Sequence, residues 1–235
     1  MRFIRFSCCL ILFPLMTKAQ NKPKAKLKKY FYHSHGISFQ KFDNLNKRIV
    51  AYPQFEQPKN STGTLQFGMF AERNRLITSY SINAGSSISG DRDKRSANTG
   101  YFGLSADVGY NLLKSTRISL YPFAGLGYET FKVKFNRDVS TIPFDSVLLS
   151  NNAQQGVENL VFNNSFMIYR LGVGMVFTSK KNVRNSIGLQ VDYSGSFKEN
   201  DWKINKSQTL LNSPKDMLSK IAMRLLIRYQ LKQRG

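Results

Sequence analysis

Cysteine is nearly missing from this chain, and its placement matters. Cys8 and Cys9 are the only two. Both fall in an N-terminal stretch laid out like a cleaved secretory signal: basic Arg2 and Arg5, an apolar run over Ser7–Met16, and the small residue Ala19 before Gln20. The layout predicts a signal over 1–19 and a mature chain with no thiol, which excludes a disulfide framework and thiol chemistry. Neither cysteine sits at the cleavage point, so a lipid-anchored N-terminus is not expected. Long apolar runs are missing too. Mean hydropathy is −0.34, and nothing approaches the roughly 20 consecutive apolar residues of a membrane-spanning helix, which excludes a helical bundle in a bilayer.

Histidine is limited to His33 and His35. At i and i+2 they share one face of a strand, but no third ligand follows at a metal-site spacing, so neither a metal nor a cofactor is expected. Acidic residues are scarce: 14 Asp and Glu face 35 Lys and Arg, a formal charge of +21. Such an excess suits nucleic acid inside a cell. An exported chain meets other anions. The expected partners are membrane lipid, with lipid A phosphates or acidic surface glycans as counter-charges, and no nucleic acid.

What the chain does have is alternation with a period of two. In Tyr101–Tyr110, the residues Phe102, Leu104, Ala106, Val108 and Tyr110 interleave with Gly103, Ser105, Asp107 and Gly109. A soluble sheet would bury the apolar face against another apolar layer. Here the Gly, Ser and Asp face suits a narrow hydrogen-bonded interior with lipid outside. After a turn near Leu113–Thr116, the pattern resumes through Ile118, Leu120, Ala124, Leu126 and Tyr128, opposite Gly125, Gly127 and Glu129. Tyr121 and Phe123 fall on the inward parity there and Pro122 on the outward one, a misfit that a bulge or register change would resolve. Thr64–Ala71, Leu76–Gly85, Met167–Thr178, Ser186–Ser196 and Lys220–Lys232 repeat the pattern, and a diluted version lies within Tyr32–Phe42.

Connections alternate in length. Asp43–Gly63, Ser86–Asn98, Lys132–Asn164 and Phe197–Asp216 read as loops; Glu72–Asn74, Leu113–Thr116 and Ser179–Arg184 read as tight turns. In a barrel the two kinds gather at opposite rims, as in outer-membrane proteins with short periplasmic turns and long external loops. The predicted fold is therefore all-β: an antiparallel up-and-down transmembrane β-barrel of about eight strands. It is expected as a monomer in the cell outer membrane, with both termini periplasmic. Residues 20–31 form a basic periplasmic lead-in and 32–235 the barrel.

Charge follows the same division. Outward positions of the well-patterned strands carry no Lys, Arg, Asp or Glu, whereas inward positions carry Asp107, Glu129, Arg170, Asp192, Arg224 and Arg228. A cation facing lipid at mid-membrane costs about 2–4 kcal/mol. Eight strands enclose only enough space for side chains. The three carboxylates are therefore expected to pair with the three arginines as a structural plug. Tyr110, Tyr128, Phe177 and Tyr229 are expected in interfacial girdles.

Catalytic motifs are thin. Gly125-Leu126-Gly127 has Thr130 where a dinucleotide loop needs its third glycine. His33 or His35 with Ser34 or Ser38 supplies the residue types of a lipid hydrolase without its spacing. No catalytic, cofactor-binding or metal residue is assigned. The expected role is a non-enzymatic barrel whose external loops serve structural, adhesive or surface-interaction roles. A component of envelope transport or secretion, with Asn21–Lys29 as a docking arm, is the alternative. A lipid A-modifying membrane enzyme is third.

Through Tyr101–Tyr110 (YFGLSADVGY) and Tyr121–Tyr128 (YPFAGLGY) the chain resembles small outer-membrane β-barrels of the OmpA/OmpX-like kind. It is most similar to the "outer membrane protein beta-barrel domain" proteins common in Bacteroidota. The resemblance implies an integral outer-membrane protein with roles in envelope integrity, adhesion or surface protection, and it transfers no catalytic residue.

Overall fold

The computed structural model describes residues 27–53, 55–90, 96–136, 160–179, 184–204, 208–209 and 211–231. The expected signal over 1–19 lies outside the described residues, as does the lead-in up to residue 26.

Eight long strands follow the period-two segments: β1 Lys28–Lys41, β2 Ser61–Arg73, β3 Leu76–Gly90, β4 Ser96–Tyr110, β5 Ile118–Asn136, β6 Leu160–Thr178, β7 Asn185–Ser196 and β8 Ser219–Gln230. All neighbours are antiparallel, in the order β6-β5-β4-β3-β2-β1-β8-β7, and β7 pairs back with β6. The sheet is thus a closed barrel whose wall has no free edge, as hydrocarbon requires of any strand-built span.

Register sorts side chains by chemistry. One outward row runs Phe67↔Ile82↔Leu104↔Tyr128↔Met167, and the neighbouring inward row runs Gly68↔Ser81↔Ser105↔Gly127↔Ile168. Leu104, Val173 and Leu225 are 51%, 49% and 44% exposed, while Asp107, Arg170 and Arg224 are buried. The oily side of the cylinder is its outside. Tyr110, Tyr128, Phe177 and Tyr229 all face outward.

The structure corrects several boundaries. β1 begins at Lys28, ahead of the expected start at Tyr32, because Lys28–Phe39 pairs along β2 and Tyr30–Lys41 along β8. β3 and β4 run through most of the expected Ser86–Asn98 loop, pairing out to Gly90↔Ser96. β5 and β6 likewise run into the expected Lys132–Asn164 loop, pairing out to Phe135↔Leu160. Polar composition suggested loops there, but ladder hydrogen bonds continue the strands. The misfit in β5 involves no bulge: pairing with β6 is continuous from Ile118↔Phe177 to Phe135↔Leu160. Tyr121 and Phe123 point inward and are buried. The β4–β5 ladder stops at Gly109↔Phe123, just before Pro122, which has no N–H to offer.

The expected Asp43–Gly63 loop contains a helix, α1, over Asp43–Val50. Its first turn holds Asp43 and its last turn Lys47 and Arg48, signs that complement the helix dipole. Leu45 and Ile49, one turn apart, are buried with Phe42, Phe131, Phe166 and Trp202 in one cluster. Phe42 packs edge-on against Phe131 at 5.0 Å and Trp202 at 5.1 Å. Asp216 latches this lid. Its carboxylate accepts from the Asn44 and Leu45 backbone N–H at 2.8 and 3.1 Å and from Trp202 Nε1 at 2.8 Å.

Asp216→Ala removes the acceptor of those three donors, and each buried donor left unmet costs about 1–3 kcal/mol. Trp202 is the only tryptophan, so it reports on the lid alone. The expected outcome is red-shifted, more quenchable Trp202 emission, with the boiling-dependent gel shift of a folded barrel retained.

Candidate functional site

The lumen is the chemically distinctive part of the molecule, and the wall builds it by parity. Asp107 on β4, Gly125 on β5 and Arg170 on β6 share one rung. Two inter-strand spacings, with β5 between, put the charged residues about 9.5 Å apart along the sheet. Arg170 Nη1 nevertheless reaches Asp107 Oδ2 at 2.9 Å. It does so because Gly125 places no side chain between them: a Cβ there would lie 2.1 Å from Asp107 Oδ1. Arg170 Nη2 also lies 3.3 Å from Asp192 Oδ1, and that oxygen accepts from Arg224 Nη1. Asp107, Arg170, Asp192 and Arg224 therefore form one chain of alternating sign across the barrel.

Neutral groups extend the chain around the wall. Arg170 Nη1 donates to Ser105 Oγ at 2.6 Å, Ser105 and Ser81 share a 2.6 Å bond, Gln66 Nε2 donates to Ser81 Oγ at 2.8 Å, and Ser34 Oγ donates to Gln66 Oε1 at 3.1 Å. Hydrogen-bonded partners are what make buried charge tolerable.

The two remaining expected members behave differently. Among the described residues Glu129 pairs with no arginine; both its oxygens accept from Lys220 Nζ at 2.5 Å. Lys220 is buried and also lies 4.3 Å from the Tyr101 ring centroid. It was missed as a lumen charge because it opens the last segment, yet it shares the parity of Arg224 and Arg228. Arg228 is buried but forms no ion pair among the described residues; it stacks over Tyr30 at 4.1 Å. The network therefore pairs five of the six expected residues with one another or with Lys220 and leaves Arg228 aside.

Apolar layers lie at both ends of the charged band, and the inward parity of Tyr121 and Phe123, a misfit in the sequence pattern, belongs to one of them. Toward the short turns, Tyr30, Tyr32, Phe70, Tyr121, Phe123 and Leu226 pack together. Toward the long connections lies the cluster beneath α1. Beside α1, an apolar pocket of about 390 Å³ is lined by residues including Ile49, Phe135, Phe162 and Pro214, with Arg48 at its edge.

The histidines stand apart from the lumen. His33 and His35 lie on the outward parity of β1 with their rings 5.3 Å apart, and His33 stacks on Tyr229 at 5.8 Å. Ser34 and Ser38 are fully buried on the other side of the same strand. The barrel wall separates the candidate bases from the candidate nucleophiles, so they form no hydrolytic constellation. Among the described residues, no three His, Cys, Asp or Glu side chains gather to hold a metal ion.

The sequence pattern described as "Outer membrane protein beta-barrel domain" matches residues 6–208. Solved structures share the fold at low identity. Ail, the attachment invasion locus protein of Yersinia pestis, in complex with the heparin analogue sucrose octasulfate, is 12% identical; the match covers 88% of this chain and 99% of that one at a TM-score of 0.50. Neisserial surface protein A is 8% identical, with 86% and 97% covered at 0.53. OprG of Pseudomonas aeruginosa is 13% identical, with 89% and 98% covered at 0.50. None of the curated proteins compared matches the chain.

Lys220→Met leaves the Glu129 carboxylate buried without its cation, a loss of about 3–5 kcal/mol. Adding Glu129→Leu removes the orphaned charge and returns most of that loss. Urea unfolding from lipid vesicles measures both. Equal stability of Lys220→Met and the parent would show that the pair contributes nothing.

Proposed function

Because this chain belongs to the outer membrane protein beta-barrel domain family and is an integral outer-membrane barrel, we propose that it serves as a sealed, non-enzymatic, monomeric support presenting its capped mouth to anionic surface molecules. In this reading the long connections face outward and the short turns and both termini face the periplasm. The carrying observation is the filled lumen. An aromatic layer, a charge-matched band and the α1–Trp202 lid succeed one another along the axis. An ion entering such a stack meets apolar rings before it meets water, which disfavours conduction.

Anion recognition at the capped mouth draws on this chain's own cations. Lys47, Arg48 and Lys215 line a shallow pocket beside α1, and Glu199 is the single carboxylate in its lining. Cations at an exposed rim attract polyanions such as lipid A phosphates or sulfated and acidic glycans, with an affinity that falls as salt rises. Ail was solved with a heparin analogue, a polyanion of the class proposed here. Asp145-Ser146-Val147, similar to a short O-glycosylation motif, lies outside the described residues.

The test has two arms. In planar bilayers the full chain is expected to give no steady channel conductance. In nanodiscs it is expected to bind a heparin oligosaccharide in a salt-sensitive manner, about tenfold more weakly with Lys47→Gln, Arg48→Gln and Lys215→Gln combined. Open channels would refute the sealed support, and salt-insensitive binding or none would refute the anion-presenting mouth.

A further inference from the structure

Inside the barrel, Asp107, Asp192 and Glu129 are matched by Arg170, Arg224 and Lys220. Among the described residues, Arg228 is the inward cation left over. It projects inward from β8 and is only 4% exposed. The Tyr30 and Phe70 rings lie 4.1 and 5.9 Å from its guanidinium carbon. Ring faces offset part of a cation's field, but they do not accept its in-plane N–H groups. Its Nε makes no hydrogen bond, and no carboxylate pairs with it among the described residues. A buried guanidinium in that state is strongly destabilising unless an anion completes it.

Arg228 opens onto a pocket of about 360 Å³ at the short-turn mouth, the end opposite α1. Ser119 lines the same pocket; it is buried, and its Oγ has no hydrogen-bond partner among the described residues. Lys28, Lys114 and Arg117 line the pocket too and are exposed, forming no ion pair among the described residues. Arg75 is committed elsewhere, donating to the Asn111 and Leu112 carbonyls at 2.7 and 2.5 Å. Glu72, the one carboxylate in the lining among the described residues, accepts from Asn111 Nδ2 at 3.3 Å. The pocket thus holds a surplus of donors and positive charge around one buried, unmatched arginine.

We propose that this pocket is an oxyanion site that takes a phosphate group. Arg228 supplies the forked donor, which suits two phosphate oxygens. The Ser119 hydroxyl donates to a third, and Lys28 and Arg117 add charge from the rim. Several cations converging on one mouth favour a group with three or more acceptor oxygens over a carboxylate with two. The group is either a free phosphate or the headgroup phosphate of a neighbouring phospholipid. The site stands independently of the glycan reading, which concerns the other end of the barrel.

The full chain is placed in phosphatidylcholine nanodiscs and titrated with inorganic phosphate by calorimetry. A parallel preparation in which phosphatidylglycerol replaces part of the phosphatidylcholine is followed by phosphorus NMR of the lipid. Saturation by inorganic phosphate assigns a free anion; a saturable signal confined to phosphatidylglycerol assigns a headgroup; either supports the site. Arg228→Gln is expected to weaken binding at least tenfold, Arg228→Lys less, and Lys59→Gln, an exposed cation at the opposite end that lines neither pocket, not at all. Should Arg228→Gln fail to fold, Lys28→Gln with Arg117→Gln decides: a severalfold loss supports the site, and unchanged affinity overturns it. Absence of saturable binding in both preparations, or equal binding by folded Arg228→Gln, also overturns it.

Discussion

A hydrocarbon exterior solvates neither an unpaired backbone group nor a bare charge, and the architecture follows from that constraint. The backbone answers by closing: β7 returns to β6, so the wall of the sheet has no free edge. The side chains answer by turning inside out relative to a soluble sandwich, with leucine, valine and phenylalanine outward and charge inward. Burying charge then creates a second demand, since each ion must find a partner in a space only a few side chains wide. Glycine makes some of these pairings reachable. At Gly125 the missing side chain is the gap through which Arg170 crosses β5 to Asp107.

The lumen is layered, and the layers divide the work. The central band is polar because its ions need hydrogen bonds and each other. The ends are aromatic because the barrel must be filled where those ions stop, and Tyr121 and Phe123 fill one end without disturbing the strand register. At the other end β5 and β6 stay paired out to Phe135↔Leu160, well past the end of β7 at Ser196↔Ile168, and carry Phe131, Phe135 and Phe162 upward. A short amphipathic helix then has an apolar seat. A helix of two turns is marginal on its own; here Leu45 and Ile49 dock into the barrel, and a carboxylate far along the chain caps its first turn. The lid is a tertiary object assembled from two connections that composition alone describes as polar loops.

Placement also keeps apart residues that stand together in sequence. Histidine and serine sit side by side in His33-Ser34-His35, a neighbourhood that looks chemical on paper. In a strand, adjacent residues face opposite sides, so the imidazoles meet lipid while the hydroxyls meet the lumen. Conversely, Arg228 and Ser119, far apart in sequence, line one pocket.

The barrel itself was legible in the residues. Alternation with a period of two, uncharged outward positions and the long–short rhythm of connections are local properties, and the membrane acts on each strand locally. That is why the closed eight-stranded cylinder and the inward placement of Asp107, Glu129, Arg170, Asp192, Arg224 and Arg228 could be anticipated. Parity says which side a charge occupies; it does not say which partner lies across the lumen. Shear, strand tilt and the reach of each side chain decide that. Only the folded barrel therefore joined Glu129 to Lys220, left Arg228 without a carboxylate among the described residues, and brought Asp216 to the start of α1.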